Sequence, residues 1–133
     1  MREILFRGKR TNTKEWIEGV AFPHDNNKLT MHSQHPMDGS LVGKEVDPET
    51  VGQSTGLTDK NNTKIFEGDI IQNVTEGKTA VVQWFSEHSA FMLWCKSENQ
   101  VYWLYDNDFL NIEVIGNIYN NPELLGGADD ANS

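Results

Sequence analysis

Cysteine is all but missing from this chain. Cys95 is the only one in 133 residues, so no internal disulfide can staple the fold. It ends the apolar run Phe91-Met92-Leu93-Trp94-Cys95, where a buried, inert thiol is expected, because a reactive one needs an exposed, electropositive setting. Long hydrophobic runs are missing too. Mean hydropathy is −0.58, and no stretch approaches the ~20 apolar residues of a membrane-spanning helix. The start, Met1-Arg2-Glu3-Ile4-Leu5-Phe6-Arg7, turns charged before the apolar core of a secretion signal could form. A cytosolic protein with no membrane partner is the expectation.

Positive charge is scarce in the second half. The formal net charge is −9; residues 56–133 hold four Lys/Arg against twelve Asp/Glu, while residues 1–55 hold seven against eight. Such an acidic half repels nucleic-acid phosphate and favours solubility. Five of the seven basic residues in the first half are Arg2, Arg7, Lys9, Arg10 and Lys14. They form the candidate set for nucleic-acid contact, set against the plainer reading of a solvated hairpin turn.

Catalytic signatures are also lacking. Gly52-Gln53-Ser54-Thr55-Gly56 has Gly-x-Ser-x-Gly spacing, but it lies on the way into the β-hairpin of residues 51–71 and not on a strand-to-helix elbow, and Ser86-Glu87-His88-Ser89 reads as a polar hairpin tip. Glu67-Gly68-Asp69 offers two carboxylates, but no third acid or histidine stands near, so a glycine-relaxed turn is the better reading. His24, Asp25, His32 and His35 could supply zinc ligands; Pro36 and Gly39 argue against the helix that an i, i+3 histidine pair wants, and no cysteine adds a ligand. No catalytic residue, metal ligand or cofactor site is assigned.

What the chain does have is β pattern and aromatics. The first strand is expected over Glu3–Arg7, a polar turn over Gly8–Lys14, and a second strand over Glu15–Phe22, making a hairpin. Leu29–His32 is a short strand, residues 33–44 read as loop, and Asp47-Pro48-Glu49-Thr50 as a tight or helical turn. Residues 51–71 enter apolar, turn at Asp59-Lys60-Asn61-Asn62-Thr63-Lys64 and leave through Gly68-Asp69. Strands over 69–74, 79–85, 90–95, 100–105 and 112–119 follow, with a helical turn over 106–110 and a short helix from Asn121-Pro122. Four Trp, six Phe and three Tyr suggest a thin core built of rings, with Trp84, Phe85, Trp94, Tyr102, Trp103 and Tyr105 packed inward rather than stacked on bases. The expected architecture is mostly β. An N-terminal β-hairpin lobe spans 1–46, a small SH3-like barrel with short helical turns spans 47–125, and a flexible acidic tail spans 126–133.

Several blocks in this order resemble the YopX family of phage and prophage proteins. They are residues 1–10, Glu15-Trp16 with Gly19, Val46–Gln53, Thr55-Gly56-Leu57 with Asp59-Lys60-Asn61, Ile65–Ile70, Glu113–Tyr119 and Asn121–Leu125. Two departures stand out: Ser54 where the family usually has an aromatic, and Asn62-Thr63 in place of the usual glycine after Asn61. The resemblance implies a mostly β phage protein in the host bacterial cytoplasm, with an SH3-like barrel, no established activity and no catalytic residues to carry across. The function expected is a non-enzymatic accessory module working through a protein partner or self-association. The alternative is a nucleic-acid-binding module using the basic cluster.

Overall fold

A computed structural model describes residues 5–24, 27–34, 41–104 and 111–125. Within them eleven strands run in the order β1 Phe6–Lys9, β2 Trp16–Pro23, β3 Leu29–Gln34, β4 Leu41–Val46, β5 Gly52–Thr58, β6 Lys64–Phe66, β7 Asp69–Asn73, β8 Thr79–Phe85, β9 Ala90–Cys95, β10 Gln100–Trp103 and β11 Ile112–Asn117. Two 3-10 turns, Pro48–Thr50 and Pro122–Leu125, complete the set, and no α-helix occurs among the described residues. The strands form two antiparallel sheets, ordered β4-β3-β2-β1-β5-β6 and β10-β9-β8-β7-β11. The mostly β expectation holds.

The chain divides into two compact units, Met1–Gly56 and Leu57–Ser133. In the first, alternation sorts side chains by face. Gly8 and Gly19 are buried with Met31 and Val46, whereas Val20 and Phe22 stay 48% and 44% exposed. Gly8 sits inside β1, not in the expected turn, because side chains crowd there: a Cβ would come within 3.2 Å of Val46 and Val51. Of residues 33–44, expected as loop, 33–34 extend β3 and 41–44 begin β4, which pairs along its length with β3. Backbone pairing with β3 overrides a local pattern too irregular to show it. The segment after β4 belongs with this unit. Asp47 caps the 3-10 turn by accepting from the Glu49 amide at 3.1 Å, Thr50 Oγ1 accepts from the Lys9 amide at 2.9 Å, and β5 pairs with β1. The break between units thus falls at 56/57, ten residues beyond the expected 46/47.

The second unit is held by a larger apolar cluster: Ile65, Ile71, Ala80, Val82, Leu93, Cys95, Leu104 and Ile112. Its five-stranded sheet is open, with β10 and β11 as edges, so the closed barrel expected from the strand count does not form among the described pairings. Closure would need β10 and β11 to exchange hydrogen bonds, and among the described residues β11 pairs with β7. The core also differs in chemistry from expectation. Trp84 and Trp103 are 48% and 54% exposed, Phe85, Trp94 and Tyr102 are half-buried, and the interior is filled by aliphatic side chains together with Phe66. Arg2, Asp25, His35, Tyr105, the turn expected over 106–110 and the tail 126–133 lie outside the described residues.

Candidate functional site

The basic cluster is drawn into local structure. Lys9 pairs with Trp16 and Arg7 with Glu18 across β1 and β2, so these four share a face. The Arg7 guanidinium lies 4.7 Å from the Trp16 ring centre and the Lys9 ammonium 5.9 Å, two cation–π contacts with one indole. Arg10 reaches Glu15 at 3.5 Å, and Lys14 holds the left-handed turn position at φ 66°. The structure therefore brings Arg7 and Lys9 together around Trp16, while Arg10 is engaged with a carboxylate.

Glu67-Gly68-Asp69 is a turn. Asp69, 1% exposed, accepts from the Phe66 amide at 2.7 Å, and Gly68 adopts φ +92° beneath the Tyr119 ring. A side chain at 68 would be both strained and within 3.1 Å of that ring.

Asp59 is the most heavily used acid. One carboxylate oxygen accepts from the Asn61 and Thr63 amides at 2.8 and 2.9 Å, the other from the Val114 amide at 2.8 Å. Burial is the strongest influence on this carboxyl and by itself raises its pKa. The Val114, Thr63 and Asn61 amides and the Thr63 hydroxyl together outweigh it, leaving the pKa below the ordinary value. The hairpin tip closes with Asn62 at φ 67°, so Asn62 takes the left-handed position a glycine would otherwise supply. Asn73 and Asn117 do similar work at strand ends, each accepting from two following amides through its side-chain oxygen. These side chains are structural, and sequence reading missed both asparagines because one Asn among polar neighbours resembles any turn residue.

Near β10, the Tyr102 hydroxyl donates to Glu98, whose other oxygen meets the Lys78 ammonium at 3.2 Å. The Glu98 carboxyl is held below its usual pKa by Tyr102 first and Lys78 second. Trp84 sits edge-on to Phe91 at 5.0 Å, and Trp103 tilts against His88 at 5.4 Å. Cys95 is buried, as expected. No three His, Cys, Asp or Glu side chains gather into a metal centre among the described residues. No helix among them is long and apolar enough to cross a membrane.

Among the described residues the molecule is two antiparallel sheets with two 3-10 turns and no α-helix, and several of its polar side chains tie turns. It belongs to the YopX protein family, whose match covers residues 5–126. It is similar in structure to protein EF1440 from Enterococcus faecalis: 25% identity, a TM-score of 0.56, and coverage of 94% of this chain and 99% of that one. No curated protein matches the chain.

Proposed function

We propose that this chain is a non-enzymatic phage or prophage accessory protein of the bacterial cytoplasm, acting through contact with a protein partner or with copies of itself. The observation that supports it best is the exposure of Trp84 and Trp103 on a unit whose half of the chain carries eight more acidic than basic residues. Exposed indoles are strong anchors for protein contacts, and the surrounding negative charge disfavours phosphate. The second unit's five strands are read as an open, SH3-like arrangement presenting these rings. Light scattering and partner capture from infected cells test the reading. Oligomers or a specific complex, lost in Trp84→Ser or Trp103→Ser variants that still fold, support it; a monomer that captures nothing and turns over a substrate overturns it.

The second reading, nucleic-acid binding, draws on Arg7 and Lys9 around Trp16, with Arg2, Arg10 and Lys14 nearby in sequence. Its signature is an affinity that falls steeply with salt. No retention on DNA or RNA at low salt removes it.

A further inference from the structure

Two of the histidines singled out in the sequence converge on one atom. His24 Nε2 lies 2.8 Å from Thr30 Oγ1, and His32 Nε2 lies 2.9 Å from the same oxygen. The convergence is built by the fold. His24 closes the β2–β3 turn through its amide, which donates to the Lys28 carbonyl at 2.8 Å. Thr30 and His32 alternate on β3, so they share a face. The His32 ring is fixed on two sides. Phe22 meets it edge-on at 4.8 Å, and Gly43, its cross-strand partner on β4, leaves the space it occupies: a Cβ at 43 would come within 2.7 Å of the ring. Glu45 stands opposite Thr30 on β4, adding negative charge to the same face.

We propose that His24 and His32 form a two-imidazole site for a late first-row divalent cation such as Zn²⁺ or Ni²⁺, with water completing the coordination. Imidazole nitrogen is a preferred ligand for these ions, at about 2.0–2.1 Å for zinc. In the neutral state the single Thr30 hydroxyl proton serves one ring, and the other ring donates its own. A cation replaces this shared hydrogen bond: both rings carry their proton on Nδ1 and turn both Nε2 lone pairs to the metal. One proton shifts between nitrogens of one ring through solvent, and none is lost. With only two protein ligands the site binds cations reversibly and is not a structural zinc centre.

The test is calorimetric titration of the full chain with zinc chloride or nickel chloride at neutral pH. One cation per chain is expected, with at least tenfold weaker binding in His24→Ala and in His32→Ala and unchanged binding in His88→Ala. Circular dichroism confirms that each variant folds. Nitrogen chemical shifts of the two rings provide a separate readout: the cation moves both Nε2 resonances. An absence of saturable binding overturns the proposal, as does binding indifferent to both His24→Ala and His32→Ala. Neither result bears on the protein-contact function.

Discussion

The two units hold their strands by different means. Among the described residues of 1–56, few large side chains are buried. Met31 and Val46 pack over Gly8, and much of the rest is stitching by Thr50, Asp47 and backbone pairs. Residues 57–133 bury a contiguous aliphatic cluster and add side chains that tie turns: Asp59, Asp69, Asn73 and Asn117. The difference teaches that one β chain can rely on side chains seated over bare glycine backbone in one region and on apolar volume in another. Glycines permit the first by removing side chains between strands. Branched aliphatics on alternate positions supply the second.

The comparison breaks most readily at the two cores. Leu93→Ala removes a fully buried side chain from the larger cluster and is expected to cost about 4 kcal/mol, measured by urea denaturation. Met31→Ala, also fully buried, is expected to cost less, about 3 kcal/mol, because glycine neighbours leave fewer contacts to lose. Equal costs would erase the distinction between a thick and a thin core.

Asp59→Ala comes next, at about 2 kcal/mol, because it deprives three amides of their acceptor. Its pH dependence sharpens the point. The folded pKa lies below the ordinary carboxylate value, so the stabilisation is complete above the unfolded pKa of about 3.9 and disappears as pH falls through the folded one. Wild type should lose stability below about pH 4 more steeply than Asp59→Asn; parallel acid profiles would show that the carboxylate charge is immaterial. The smallest effect belongs to Glu98→Gln. Glu98 is paired with Lys78 and Tyr102 at the surface, where water competes, and no measurable change in the denaturation midpoint is expected.

Much of the strand plan was readable because strong alternation and turn chemistry point the same way. The Asp59–Thr63 tip, the Gly68 corner, the Asp47 cap and the short turn at Pro122 all follow from residues adjacent in sequence. The errors share a cause. Gly8 looked like a turn residue, yet it is buried in β1 because Met31, Val46 and Val51, distant in sequence, crowd that position. β4 looked like loop because its pairing partner, β3, supplies what its own pattern lacks. The tryptophans looked like core because burial was inferred from hydrophobicity alone. The site was less readable still: the pattern of His24 and His32 did not suggest that both would reach Thr30.

The order of amino acids by itself determined the β class, the main turns and the acidic balance, since backbone propensity, turn geometry and formal charge are local properties. Only the folded chain decided which rings face water, whether the second sheet closes, and which imidazoles meet. Those outcomes depend on pairing register and on the volume left between strands, and both are set by residues far apart along the polypeptide.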